Sequence, residues 1–192
     1  SIGMQKRKDP KLFLSFPNRG PVTFGHVSYT DLLALGLISP EYDLNSYKFC
    51  FVRNPYSRAV SLFNYLKQIK KIEFETEFET FLDNVHLYRP PIGLYNSGGL
   101  SITNPQSDWV MGIDGKLLVD DYFKVEHIDE FISKFDVKFK VKLDLKTKLN
   151  VSIKEVSLES ISENSAALEK IATIYKRDFD LFDYDQKPIP ID

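Results

Sequence analysis

The segment that most constrains the fold runs from Lys48 to Leu66, because its character changes at its centre. Phe49–Val52 is a short apolar run ending in a β-branched residue, which predicts a strand buried on both faces, as in a parallel sheet. Pro55 cannot continue a strand, but its fixed φ suits the first turn of a helix. From Ser57 onward the apolar residues have helical spacing, so the sequence predicts a strand, a turn and a helix.

Arg53 and Asn54 therefore stand at the carboxyl end of a predicted strand, directly before a predicted helix. In open α/β sheets, ligands bind outside the carboxyl ends of the strands, and a helix N-terminus offers free N–H groups and partial positive charge to an anion. Arg53 adds a planar guanidinium that matches phosphate geometry, and Ser61, in the first turns of the helix, can donate its hydroxyl. The alternative is that Arg53 and Arg58 only pair with surface carboxylates.

Composition favours a single domain over residues 1–192. Hydrophobic residues make up 43% of the chain and aromatic residues 14%, which excludes an intrinsically disordered protein. The net charge is −2, so nothing draws the whole chain to nucleic acid, and an anion site has to be local. No apolar run approaches the ~20 residues of a membrane span. The single cysteine, Cys50, has no partner for an internal disulfide.

The segment from Phe51 to Ser61 resembles the 3′-phosphate-binding segment of Golgi-type carbohydrate sulfotransferases, which use 3′-phosphoadenosine 5′-phosphosulfate (PAPS). In the family, an apolar strand is followed by Val-Arg-Asn/Asp-Pro, an aromatic residue, and an Arg with a Ser three residues later, and this chain has the same order with Asn54. The resemblance implies that Arg53 and Ser61 hold the 3′-phosphate. It extends over about residues 25–184 and implies an α/β three-layer sandwich with a central parallel sheet, related to P-loop kinases.

Members of that family normally open with a strand and a loop of the type Pro-Lys-x-Gly-Gly/Ser-Thr-Ser-Ile, which holds the 5′-phosphosulfate. Ser1 and Ile2 would match the last two residues of this loop, and no such loop follows them. The expectation is that residues 1–192 lack the native N-terminal strand and phosphosulfate-binding loop. The rival expectation is a degenerate member of the family.

The segment from Gly25 to Leu32 resembles the part of heparan uronyl 2-O-sulfotransferases that supplies the catalytic base, and the resemblance places that base at His26. Sulfuryl transfer to a hydroxyl needs a base to accept the proton, and histidine titrates near neutral pH. Some members have a second histidine where this chain has Phe24, so a paired site is not expected. The alternative is a strand-end histidine bonded to backbone groups, with Glu126 as the next candidate base.

Two further segments resemble ligand-contacting parts of the family. The residues at 104–110 resemble a Pro-Gln segment near the acceptor, which implies that Gln106 bonds sugar hydroxyls and Trp109 stacks on a sugar face. The alternative is a capped helix start with a core tryptophan. The residues at 149–152 resemble a Leu-Asn-x-Ser loop near the nucleotide, which implies donor contacts by Lys148 or Ser152.

Periodicity predicts the remaining elements. An apolar stripe from Phe74 to Leu82 predicts a helix, and a second helix is expected over 128–135. Alternating lysine and apolar residues over 137–149 predict a strand with one charged face rather than a polyanion patch. A last helix is predicted over 164–183.

The function implied is sulfuryl transfer from PAPS, as co-substrate and without a metal, to a hydroxyl of a small-molecule or glycan acceptor. Nucleic-acid binding and a membrane span are not expected, and the oligomeric state is not predicted. The compartment would be the cytoplasm for a bacterial protein or the Golgi lumen for a eukaryotic catalytic domain. The alternatives are a non-catalytic nucleotide- or glycan-binding protein and an ATP-dependent P-loop kinase, which the lack of a Walker motif disfavours.

Overall fold

The computed structural model describes residues 13–16, 20–23, 28–88, 100–140, 142 and 155–186. Its helices are α1 (Tyr29–Ala34), α2 (Pro40–Asn45), α3 (Pro55–Gln68), α4 (Phe78–Asp83), α5 (Ser107–Val110), α6 (Ile128–Phe139), α7 (Leu158–Ser162), α8 (Ser165–Ile174) and α9 (Lys176–Leu181). Short 3-10 helices lie at Val85–Tyr88 and Val125–His127.

The strands form two small sheets. β1 (Phe13–Phe16) pairs antiparallel with β2 (Gly20–Thr23). β3 (Phe49–Val52) pairs parallel with β4 (Asp121–Lys124), residue 49 opposite residue 121. The described part of the chain is therefore a mixed α/β structure with a parallel strand pair, which confirms the predicted fold class at this coarse level.

α3 begins at Pro55, as the sequence predicts, because Asn54 caps it. Oδ1 of Asn54 accepts hydrogen bonds from the backbone N–H groups of Tyr56 (2.9 Å) and Ser57 (3.5 Å). Pro55 at the first helical position has no N–H to satisfy. The predicted apolar stripe is confirmed by burial of Ala59, Val60, Phe63 and Leu66.

The larger core lies between α3, α4, α7, α8 and α9. It is built from aromatic and aliphatic side chains that are nearly or fully buried, among them Phe63, Phe78, Phe81, Leu82, Ile161, Ala167, Ile171 and Phe179. Phe63 is central, with its ring centroid 5.2 Å from that of Phe78 and 5.4 Å from that of Phe81. This core fixes α3, and so the position of the turn between β3 and α3.

The parallel strand pair has different neighbours on its two faces. On one face, the ring of Phe131 in α6 lies 4.7 Å from that of Phe51 and 4.9 Å from that of Phe123, between centroids. On the other face, Val52 packs with Val110 and Phe182 in a smaller core. Because side chains alternate along a strand, the two faces belong to alternate residues of β3.

The prediction that β3 is buried on both faces is wrong at Phe51, which is 43% exposed. Among the described residues β3 has one partner strand, β4, so its other edge is not covered by a strand. That open edge lies beside the site described below.

The predicted strand over 137–149 is wrong for its first residues, which continue α6 to Phe139. Lys140 ends the helix in the left-handed conformation, with φ 54°. The rings of Phe135 and Phe139, four residues apart, are tilted against each other with centroids 4.5 Å apart, and the Phe139 ring also lies 5.2 Å from that of Tyr47. These ring contacts stabilise the helix, and they outweigh the preference for a strand that the alternating lysines indicate. Residues 143–149 lie outside the described residues.

Two other helix predictions need correction. Phe74 is not in the helix with Phe78, because α4 begins only after Glu77, and Phe74 is 73% exposed. The single helix predicted over 164–183 is two helices, α8 and α9, interrupted at Tyr175. Tyr175 is fully buried, so the interruption between the two helices lies where this ring packs into the core.

Candidate functional site

The carboxyl ends of β3 and β4 meet at one edge, because the strands are parallel. Arg53 and Asn54 follow β3, and Glu126 follows β4. The Asn54 backbone N–H donates to Oε1 of Glu126 at 2.8 Å, which ties the two strand ends together. The N-terminus of α3 opens at the same edge.

A cavity of about 520 Å³ lies beside this edge. It is lined by Cys50, Phe51, Val52, Arg53, Arg58, Ser61, Leu62, Tyr65, Ile102, Gln106, Trp109 and Val110. The structure thus brings together in one cavity four residues that the sequence singles out from two separate segments, namely Arg53, Ser61, Gln106 and Trp109. Its volume is in the range of ligand-binding pockets.

Two arginines are the charged groups among the described residues that line the cavity, and none of these residues is acidic. Arg53 is exposed, and its Nε donates to Oγ of Ser57 at 3.0 Å. Neither Arg53 nor Arg58 forms an ion pair with a described carboxylate. The surface ion pairs of the alternative interpretation are therefore not found in the described part of the chain.

Arg58 is held in place by backbone carbonyls. Its Nη2 donates to the carbonyl oxygens of Ile102 (2.8 Å) and Asn104 (2.7 Å), and its guanidinium lies 5.3 Å from the Tyr175 ring centroid. Its Nη1 is buried and has no hydrogen-bond partner among the described residues. The described contacts of Arg58 are with neutral groups, so no described carboxylate balances its positive charge beside the cavity.

Gln106 binds the backbone of Arg53 with both ends of its side-chain amide. Oε1 of Gln106 accepts from the Arg53 N–H at 2.9 Å, and Nε2 donates to the Arg53 carbonyl at 2.8 Å. The amide thus takes the place of a neighbouring strand for this one residue. Its role as a ligand for acceptor hydroxyls stays a prediction.

Asp178 lies behind Gln106 and is fully buried. Its Oδ2 accepts from the backbone N–H of Gln106 and its Oδ1 from that of Ser107, both at 2.8 Å. The sequence predicts a helix over this part of the chain but does not indicate this contact. An acidic residue directly before Phe179, on a helix whose apolar side is buried, indicates a buried carboxylate, but the sequence does not identify its partners.

Trp109 lies between the cavity and a second one of about 510 Å³. The two cavities share Cys50, Trp109 and Val110, and the second extends to Tyr29 and Tyr42. Trp109 is half-buried and packs against the smaller core around Val52. Burial raises the pKa of the Cys50 thiol to about 11, so the thiol is protonated at neutral pH.

Glu126 uses both carboxylate oxygens. Besides the bond from Asn54, its Oε2 accepts from the Tyr184 hydroxyl at 2.9 Å. Burial, together with the Glu126 charge and this hydrogen bond, raises the pKa of Tyr184 far above its ordinary value. Glu126 therefore joins the end of β4 to the turn after β3 and to the segment after α9.

Three of the sequence-predicted site residues, His26, Lys148 and Ser152, lie outside the described residues. Among the residues that are described, no group of three or more His, Cys, Asp or Glu side chains is arranged to hold a metal ion. Within the same ranges, no helix is long and apolar enough to cross a membrane. Comparisons of the chain with protein-family models, with curated proteins and with solved structures find no match.

Proposed function

We propose that this protein is a PAPS-dependent sulfotransferase that moves a sulfuryl group to a hydroxyl acceptor, expected on a carbohydrate. The observation that carries the proposal is the cavity lined by Arg53, Arg58 and Ser61 and by no described acidic residue, at the carboxyl end of a parallel strand. Such a cavity suits a phosphate group. The resemblance of residues 51–61 to a 3′-phosphate-binding segment supports the same ligand. The three-layer, P-loop-kinase-like sulfotransferase fold belongs to this proposal.

The donor would be held by its 3′-phosphate. The Arg53 guanidinium has a single described partner, Ser57 at Nε, which leaves its Nη groups to bind phosphate oxygens. The Ser61 hydroxyl lines the cavity and has no hydrogen-bond partner among the described residues, so it is free to donate. Lys148 and Ser152 are proposed as further donor contacts.

In the proposed reaction, the acceptor oxygen attacks the sulfur of PAPS and the bond from sulfur to the 5′-phosphate oxygen breaks. Adenosine 3′,5′-bisphosphate leaves, and His26 accepts the hydroxyl proton. Catalysis of such a transfer depends mostly on positioning and on stabilising the charge of the leaving phosphate. Trp109 is proposed to stack on the acceptor, with Gln106 near its hydroxyls.

The test is calorimetric binding of adenosine 3′,5′-bisphosphate and of AMP to the full native protein. The bisphosphate is expected to bind more tightly, because Arg53 and Ser61 are assigned to its 3′-phosphate. Arg53→Ala is expected to weaken bisphosphate binding by about 2 kcal/mol, the scale of a charge-assisted hydrogen bond. AMP binding is expected to change little.

The matched control is Lys170→Ala, which also removes one positive charge but lies in α8, paired with Asp83 at 2.7 Å. This variant is expected to keep wild-type affinity. Equal affinity of the wild type for AMP and the bisphosphate would refute the donor assignment. Bisphosphate binding without sulfuryl transfer from PAPS to any of a panel of glycans would favour the non-catalytic binding protein instead.

A further inference from the structure

The Asp178 carboxylate is buried in α9 and satisfied by neutral donors. Its two oxygens accept from two successive backbone N–H groups, those of Gln106 and Ser107, and Oδ2 also lies 3.4 Å from Nε2 of Gln106. No described Lys or Arg pairs with it. A buried carboxylate is costly unless it is hydrogen-bonded, so the cost of burying Asp178 is offset at Gln106 and Ser107.

Gln106 passes this restraint on to Arg53. Its backbone is fixed by Asp178, and its side-chain amide bonds both the N–H and the carbonyl of Arg53, at 2.9 and 2.8 Å. The three residues form a relay from α9, through the start of α5, to the turn after β3. The relay joins positions that are 72 and 53 residues apart in sequence.

The Arg53 side chain has few other restraints. It is exposed, and its one described side-chain bond is the one from Nε to Ser57. The arginine is therefore anchored at two points, the bond from its Nε to Ser57 and its backbone, which Gln106 holds. The peptide between Arg53 and Asn54 has two supports, because its carbonyl accepts from Gln106 and its N–H, that of Asn54, donates to Glu126.

We propose that Asp178 is a positioning residue for the anion site, acting through Gln106 on the backbone of Arg53. In this role the Gln106 side-chain amide holds the arginine backbone, and its place in the cavity lining is compatible with the proposed acceptor contact. The proposal rests on the proposed function for the identity of the anion. When the relay is broken, binding an anion has to order the backbone of Arg53 again, and this loss corresponds to about a tenfold weaker affinity.

The experiment compares Asp178→Asn, Gln106→Met and the double variant. Asp178→Asn keeps the shape but replaces one acceptor oxygen by an NH2 group, and Gln106→Met keeps the length but has no amide. Affinity for adenosine 3′,5′-bisphosphate is measured by calorimetry. Each single variant is expected to bind about tenfold more weakly, and the double variant no more weakly than either, because both break one relay.

A second readout needs no ligand. Amide hydrogen exchange by NMR is expected to become faster at Arg53 in both single variants. The Asn54 amide is expected to keep its protection in Gln106→Met, because Glu126 still holds it. If the wild type does not bind the bisphosphate, the proposed function fails. The exchange rate at Arg53 then shows by itself whether Asp178 and Gln106 hold the Arg53 backbone.

The stability control is Asn164→Ala, which removes the side-chain cap of α8, a bond of 3.0 Å to the Ala167 N–H, away from the cavity. It is expected to lower the melting temperature without changing affinity. If Asp178→Asn changes affinity no more than this control, Asp178 only supports the fold and the proposal is overturned. If Asp178→Asn does not fold, unchanged exchange at Arg53 in Gln106→Met overturns it equally.

Discussion

At the scale of single residues, the turn between β3 and α3 is built by polar side chains from distant parts of the chain. The Asn54 side chain caps α3, the Gln106 amide binds the backbone of Arg53, and the Glu126 carboxylate accepts from the Asn54 N–H. Buried backbone groups need partners, and here side chains provide them where the strand has ended. The turn can therefore hold an exposed arginine in one place without a neighbouring strand.

Trp109 has two possible roles, packing in the smaller core and binding of the acceptor, and experiment can distinguish them. It lines both cavities and also packs near Val52, so truncation affects both roles. Trp109→Ala is expected to raise the acceptor KM and lower stability while bisphosphate affinity stays nearly unchanged. The measurement is sulfuryl transfer at varied concentrations of an acceptor found by screening.

Trp109→Leu is the matched variant, because it restores apolar volume without a ring. If the ring stacks on a sugar, the acceptor KM stays high in the leucine variant although stability recovers. A KM that returns to the wild-type value with leucine would show that Trp109 is only a core residue.

The residue types of the site could be predicted where they form a local pattern. Arg53 directly follows the strand and Ser61 lies on the helix that begins at Pro55, so the local sequence alone brings them near each other. The bonds of Asp178 could not be predicted, because their partners are 71 and 72 positions away. No periodicity within a helix indicates which backbone group a buried carboxylate will meet.

At the scale of elements, the start of α3 is determined by Asn54, a residue that is only 1% exposed. Asn54→Ala removes the acceptor for the first two N–H groups of the helix and is expected to cost about 1–2 kcal/mol of unfolding free energy. Urea unfolding measures the change. The control is Asn45→Ala, whose side-chain bond to the Glu41 carbonyl is exposed, and which is expected to change stability by less than about 0.5 kcal/mol. Equal losses in the two variants would contradict the capping role.

Elements were predictable where local signals agree with tertiary contacts. At α3 the proline, the cap and the apolar period all indicate one helix, and all three are found. At 137–139 the alternating lysines indicate a strand, but rings of α6 pack against Tyr47 and Phe49 and the helix continues. At Tyr175 the helical spacing of apolar residues continues, but the helix is interrupted where the Tyr175 ring is buried. In both cases packing between distant segments decides the structure.

At the scale of the whole molecule, local charge and net charge have opposite signs. The chain carries a net charge of −2, yet the charged residues described at the cavity are two arginines. The site is also assembled from residues near 53, 106 and 178, with α3 and the two cores holding them together. The positive charge at the cavity is therefore a property of the folded chain and not of its composition.

A second cluster of polar groups ties the strand pair to α6. The Tyr47 hydroxyl donates to Asp121 at 2.5 Å, and Lys134 pairs with the same carboxylate. Burial and the bond to Asp121 raise the pKa of Tyr47 from 10.0 to about 12. The bonds from Lys134 and Tyr47 lower the pKa of Asp121 below 3.8. The cluster lies at the start of β3 and β4, away from the cavity.

These shifts predict how stability depends on pH. A raised tyrosine pKa gives stability that is complete below pH 10.0 and is lost as pH rises toward about 12. A lowered aspartate pKa gives stability that is present above pH 3.8 and is lost as pH falls below it.

Tyr47→Phe should therefore flatten the fall in melting temperature above pH 10.0 and weaken the acid limb, where Lys134 still contributes. The alkaline limb should lessen rather than vanish, because Tyr29 beside Asp43 has the same shift to about 12. The control is Tyr42→Phe, an exposed tyrosine, and an alkaline limb as steep in Tyr47→Phe as in this control would refute the prediction.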